Sequence, residues 1–182
     1  MAGFLPTTLL TVLGDRAAAA VLAPPTGRDM LTVGLGLTSV AAVALPLGLS
    51  SGFLRPRLVR SPLRWLLGAA LNFMAPGAVE EAIFRVLLIP HPVAEADAGV
   101  GTVAAWVAAS TCLFLAYHLS PMHRPQRVFR DGRFLALAGA LGLACAFVYR
   151  ETGSLWCAAA THGLPVTVWL YALGGLEILR GP

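Results

Sequence analysis

Apolar residues run along this chain in long unbroken blocks, without the every-second-residue alternation of an amphipathic strand. The cleanest block is Met30–Leu49, about 20 residues without a charge, the length a helix needs to cross a bilayer. A second block, Leu63–Ile89, is interrupted by Pro76-Gly77 and by Glu80, Glu81 and Arg85. A third covers Val100–Leu119, a shorter fourth Phe134–Tyr149, and a fifth Ser154–Leu176. The N-terminal stretch Phe4–Ala23 carries Asp15 and Arg16 in its middle, so it reads as a sixth span or as an amphipathic helix at the interface. No positive residue precedes it, which argues against a signal peptide. In lipid only helices and closed barrels satisfy their own backbone groups, and the blocks lack barrel-like alternation. The pattern therefore predicts an all-α fold: a polytopic transmembrane bundle of five to six spans, one membrane domain over residues 1–182 with its core over about 63–176, and no repeat or linker.

Composition agrees. Of 182 residues, 57% are hydrophobic and only 12% charged, where a soluble domain is about a quarter charged. A chain of this size cannot cover that much apolar surface with its own polar atoms, so lipid is the expected solvent and membrane lipid the first partner. The three cysteines, Cys112, Cys145 and Cys157, all lie in apolar runs, are odd in number and have no CxxC spacing. They read as packing residues rather than as disulfides or a zinc site.

All 13 basic residues are arginine, and they do not mark a nucleic-acid surface, because they concentrate in two short loops. Arg55, Arg57, Arg60 and Arg64 precede the second span; Arg124, Arg127, Arg130 and Arg133 follow the third; Pro90–Gly99 between them has no Arg but has Glu95 and Asp97. The positive-inside rule puts both Arg loops in the cytoplasm and the acidic loop outside. The all-Arg, Ala/Gly-rich composition points to a GC-rich bacterial genome, and so to the bacterial inner membrane.

Glu80, Glu81 and Arg85 are the anomaly. Each charge at mid-bilayer costs about 2.5–3.5 kcal/mol on insertion scales, so three unpaired ones cost on the order of 8–10 kcal/mol. Glu81 and Arg85 are four apart and can pair on one helical face. Glu80 points roughly 100° away and must find a partner on another helix or hold a proton. An intramembrane carboxylate of this kind marks a functional site. His118 ends the third span and His162 lies inside the fifth. One membrane histidine alone reads as an interhelical hydrogen bond, but two of them with Glu-Glu-x-x-x-Arg on three helices suggest a convergent site. His91 and His123 lie in loops and read as solvent-facing.

Glu80-Glu81-Ala82-Ile83-Phe84-Arg85 resembles the EExxxR motif of the CPBP intramembrane proteases, the CAAX-protease or Rce1-like and bacteriocin-processing group. Phe114-Leu115-Ala116-Tyr117-His118 resembles that family's FxxxH motif, and Thr152-Gly153-Ser154-Leu155-Trp156 followed by His162 resembles its last motif. The likeness covers about Leu63 to Trp169. It implies a glutamic endopeptidase that cuts a membrane-anchored or lipid-modified protein or peptide, such as a C-terminal sorting signal. By this likeness Glu80 would be the base that activates water and His118 would orient that water. Glu81 and Arg85 would be a structural pair, and His162 would serve the oxyanion site. Where the family has Asn or Asp four residues after the last histidine, this chain has Val166, preceded by Pro165. Valine cannot donate a hydrogen bond, and loss of one oxyanion donor costs about 10²–10³ in rate. Either another donor serves, with Thr161 and Thr167 as the candidates, or the chain belongs to a divergent subgroup, or activity is lost.

No cofactor is expected. A Glu with two His can hold Zn²⁺, but no HExxH supports it. Two other classes compete: an inactive scaffold or immunity protein of the same fold, favoured by Val166, and a proton relay or small transporter, disfavoured by the missing inverted repeat.

Overall fold

The computed structural model describes residues 5–120 and 127–180, with side chains from residue 9 onward. His123 and Arg124 lie outside the described residues. The elements are α1 (Leu5–Leu22), α2 (Gly27–Ser50), α3 (Pro62–Asn72), a π turn (Phe73–Ala78), the single turn α4 (Val79–Glu81), a second π turn (Ala82–Val86), α5 (Val100–His118), a 3-10 turn (Arg127–Arg130), α6 (Gly132–Thr152), α7 (Leu155–Ala172) and α8 (Gly175–Arg180). The one β feature among the described residues is an isolated bridge between Arg57 and Leu173. The fold is all-α, as the apolar blocks predict.

Local chemistry sets the boundaries. Thr26 caps α2 through a capping box: its hydroxyl accepts from Asp29 N, and the Asp29 carboxylate accepts from Thr26 N at 2.8 Å. Ser61 caps α3, with Pro62 in the first turn, where its missing N–H is harmless. Asp131 caps α6, so this helix starts at Gly132 and runs 21 residues to Thr152. The fourth span is therefore longer than the apolar run Phe134–Tyr149, because capped polar ends extend a helix past its hydrophobic core. The fifth block instead divides: α7 stops at Ala172, and Gly174 turns the chain at φ +83° into α8.

Among the described residues three helices, α2, α5 and α6, are long and apolar enough to cross a membrane by length and composition. The 62–86 segment carries four charges, Arg64, Glu80, Glu81 and Arg85, and is broken at Ala75 into pieces each too short to span, while α7 is long enough but contains His162, Thr161, Thr167 and Pro165. The exterior is apolar: Leu35, Leu66, Leu71, Leu113, Leu143 and Val168 are all exposed. Such a surface is a liability in water and ordinary in lipid.

α2 packs on α6, α6 on α7, and α3 with its π turn on α7. The second Arg segment joins the first at one end of the bundle: Arg133 Nη1 donates to Ser51 O at 2.9 Å, and Val128 packs on Phe53 and Leu54. The acidic loop lies at the other end, separated by the 19 residues of α5.

That acidic loop corrects one expectation. His91 is buried, not solvent-facing. Its Nδ1 accepts from Val93 N and Ala94 N, so its proton sits on Nε2, which donates to Gly153 O at 3.1 Å. Burial pulls this imidazole below the usual histidine range, against the smaller upward pull of the Gly153 carbonyl. A Pro-flanked loop residue beside acids looks wet in sequence; here the loop folds back under the α6–α7 turn.

The same loop fastens α1. Arg16 Nη2 donates to Glu95 Oε2 at 2.7 Å and Arg16 Nη1 to Leu87 O at 2.9 Å, while Glu95 Oε1 accepts from His91 N. Ala20 is fully buried against Val86, Ile89 and Tyr149. α1 is thus pinned to the body through the arginine that made its block ambiguous. The Arg16 hydrogen bond holds the Glu95 carboxyl below the usual carboxylate range. A depressed carboxylate contributes stability above its unfolded pKa, and that stability is lost as pH falls through the folded value. Hydrogen exchange of the 9–22 amides, corrected for intrinsic rates, is expected to show α1 protected at pH 7 and progressively released below about pH 4. Glu95→Gln is expected to lose about 1–3 kcal/mol of that protection at pH 7, the worth of a charged hydrogen bond, and to lack the acid step.

Candidate active site

The 62–86 segment explains how charges come to sit in one place. Ala75 has non-helical angles (φ −141°, ψ 108°) ahead of Pro76, and wide turns flank α4 on both sides. π turns inside helices are common at functional sites. Here they aim two adjacent carboxylates at different neighbours.

Glu81 points into the protein. Its Oε2 lies 3.2 Å from Arg85 Nε, both side chains fully buried, and its Oε1 lies 2.6 Å from His162 Nδ1. Arg85 also donates from Nη2 to Gly142 O at 3.0 Å and stacks its guanidinium over the Phe114 ring at 4.6 Å. The predicted Glu81–Arg85 pair is therefore present, and it extends to a histidine on α7 that the spacing alone did not connect to it.

Glu80 points into a cavity of about 740 Å³, lined by Asn72, Glu80, Phe114, His118 and His162 together with apolar side chains of α2, α6 and α7. Glu80 Oε2 is buried, has no hydrogen-bond partner among the described residues, and faces His162 Nε2 at 3.8 Å. His118 is buried with Nδ1 at 2.9 Å from Phe114 O. All five residues singled out from sequence thus gather: Glu80, His118 and His162 on the cavity, Glu81 and Arg85 directly behind them. Phe114 is the hub, with ring centroids 4.7 Å from His118 and 5.8 Å from His162.

The hydrogen bonds assign the protons. Carbonyl and carboxylate oxygens only accept, so His118 Nδ1 donates to Phe114 O and His162 Nδ1 donates to Glu81. In the neutral imidazoles both Nε2 atoms are then acceptors. This is the arrangement in which a carboxylate fixes the tautomer of a working histidine.

Neither threonine nearest in sequence to Val166 offers a proton. Thr161 Oγ1 donates to Cys157 O at 2.9 Å and Thr167 Oγ1 to Gly163 O at 2.7 Å, both within α7. Val166 itself packs with Val40, Leu141, Ala144 and Cys145. Asn72, which sequence reasoning passed over, is buried on the cavity and donates from Nδ2 to Thr167 Oγ1 at 3.1 Å. An Asn at the end of an apolar helix carries no periodic signal; its proximity is tertiary. That proximity needs Gly163: a Cβ there would lie 2.8 Å from Asn72 O and 2.9 Å from Phe73 Cα.

The ligand atoms of Glu81, Cys145 and His162 lie within 4.8 Å of one another. They do not fit a metal dication, because the Arg85 cation stands 3.2 Å from the same Glu81 carboxylate and Glu81 already accepts from His162.

One family model matches the chain, that of the type II CAAX prenyl endopeptidase Rce1-like family, over residues 62–168. No curated protein and no solved structure matches. The matched stretch begins at the start of α3 and ends inside α7, so it takes in every cavity-facing polar residue described above.

Proposed function

The chain belongs to the Rce1-like family of type II CAAX prenyl endopeptidases, and from that membership and the cavity chemistry we propose that it is an intramembrane peptide hydrolase in which Glu80 activates water. The observation that carries this reading is the buried Glu80 Oε2, without a hydrogen-bond partner and 3.8 Å from His162 Nε2. Glu80 Oε2 and the Nε2 of a neutral His162 are both acceptors, so the pair needs a donor such as water to satisfy it. A carboxylate moved out of bulk water is a better proton acceptor than one in it.

The reaction follows from these positions. Water loses a proton to Glu80 as its oxygen bonds to the scissile carbonyl carbon. His118, on the same cavity, orients the water through Nε2. The C–N bond then breaks, and the proton held by Glu80 passes to the leaving nitrogen. Glu81 and Arg85 hold the helix and the His162 tautomer and touch no reacting atom. In this reading the site works without a metal.

The substrate in this reading is a membrane-anchored or lipid-modified protein or peptide, since the remaining cavity wall is aliphatic and aromatic side chains with two prolines and Trp169. The proposed setting is a bacterial inner membrane crossed several times, with the Arg-rich end in the cytoplasm. Beyond α2, α5 and α6, the further passes would be the 62–86 segment and α7, whose Glu80, Glu81, Arg85 and His162 face inward.

The test is cleavage of a co-expressed membrane-anchored reporter, with the product identified by mass. Wild type is expected to cut. His118→Ala is expected to cut about 10²-fold or more slowly at equal abundance, the low end of general acid–base contributions. If wild type and His118→Ala leave every reporter intact alike, the inactive scaffold reading replaces this one.

A further inference from the structure

Attack on a peptide carbonyl turns its oxygen into an oxyanion, and that charge needs a donor aimed at it. The polar side chains on the cavity have almost all given their protons elsewhere. The Nδ1 protons of His118 and His162 go to Phe114 O and Glu81. The hydroxyls of Thr161 and Thr167 bond within α7. Arg85 lies behind Glu81, fully buried, with Nη2 on Gly142 O. Trp169 Nε1 has no partner among the described residues, but it sits seven residues beyond His162, roughly 10 Å along the helix.

Asn72 remains. Thr167 donates its proton to Gly163 O and can therefore only accept from Asn72, which fixes the carboxamide with nitrogen toward Thr167. That uses one of the two N–H groups of Nδ2. The other, and Oδ1, are left for the cavity that Asn72 shares with Glu80 and His162. The backbones of α3 and α7 touch at Asn72 and Gly163, the residue after His162, and the amide bonds Thr167 on the same helix.

We propose that Asn72 is the oxyanion donor of this site: its second Nδ2–H bonds the carbonyl oxygen of the scissile peptide as negative charge forms there, and Thr167 is the positioning residue that orients it. This rests on the hydrolase reading above. It assigns to α3 a task that no donor on α7 performs.

The experiment uses purified full-length protein in detergent and two quenched-fluorescence probes, a farnesylated CAAX peptide and a lipid-free apolar peptide. Asn72→Ala is expected to lower kcat about 10²–10³-fold, the usual loss for one oxyanion donor, with KM within about threefold of wild type because charge forms only after binding. Asn72→Asp, the same shape without a donor, is expected to be at least as slow. Thr167→Val keeps the amide but frees its orientation, and is expected to fall about tenfold in kcat. Position 166 lies one turn past His162 and lines the same cavity, so Val166→Asn added to Asn72→Ala is expected to recover at least tenfold.

A purely structural Asn72 predicts instead that activity and melting temperature fall together and that Val166→Asn recovers nothing; that result overturns the proposal. So does a kcat within threefold of wild type in Asn72→Ala, or in Asn72→Asp should the alanine variant not accumulate. Wild type that cleaves while the Asn72 variants match it removes this inference alone. Wild type that cleaves neither probe removes the hydrolase reading and this inference with it.

Discussion

Glu80→Gln is expected to reduce kcat/KM by about 10²–10⁴-fold, the contribution of a positioned general base, while the protein accumulates and melts as wild type does. The two halves of that expectation come from the same atom. Oε2 of Glu80 has no hydrogen-bond partner to lose, and glutamine has the same shape, so the substitution removes basicity without removing a contact. It also takes away one of two adjacent carboxylates that share an apolar site. The melting temperature is therefore expected to stay level or rise slightly. Initial rates on a fluorogenic peptide, set beside thermal melting in the same detergent, check both halves. A rate equal to wild type shows that another group activates the water. A variant that fails to accumulate shows that Glu80 belongs with the structural pair.

Neighbouring carboxylates with opposite duties are what this geometry offers. Glu81 Oε1 accepts from His162 and its Oε2 stands 3.2 Å from the Arg85 cation, an ion pair without a hydrogen bond, whereas Glu80 Oε2 has neither a hydrogen-bond partner nor an arginine beside it among the described residues. An intramembrane carboxylate without a partner is where a functional hypothesis starts, and here that carboxylate is Glu80 rather than Glu81.

The sequence made the expensive residues visible. Glu80, Glu81 and Arg85 stand out because lipid penalises them, and His118 and His162 because imidazoles are rare in apolar helices. Helix type was legible for the same reason, since long uncharged runs leave the backbone few choices. Residues that are cheap in sequence and placed by tertiary contact stayed silent. Asn72 looks like any polar residue near a helix end until α7 brings Thr167 to it. His91 looks like a wet loop residue until the loop folds under Gly153. Asp15 and Arg16 leave Phe4–Ala23 open between a span and an interfacial helix, and the partner of Arg16, Glu95, lies 79 positions away. Span ends were misjudged where caps such as Asp131, or turns such as Gly174, set the limit rather than apolarity.

Arg85→Met is expected to destabilise the protein by about 3–5 kcal/mol, the usual result of leaving one member of a buried ion pair behind. Against a total of about 5–15 kcal/mol for a folded domain, that is enough to deplete the folded population. Methionine keeps most of the side-chain volume against Phe114, so the loss is electrostatic rather than a cavity. Glu81 would keep the His162 hydrogen bond but lose its cation. The double variant Glu81→Gln with Arg85→Met is expected to recover most of the loss, because glutamine leaves no charge and its amide oxygen still accepts from His162 Nδ1. Melting temperature and membrane abundance of wild type, both single variants and the double variant form the cycle that isolates the pair. Recovery in the double variant attributes the damage to an orphaned carboxylate. An Arg85→Met protein that melts like wild type means that His162 alone suffices to hold Glu81 and that the arginine adds no net stability through Glu81, Gly142 or Phe114.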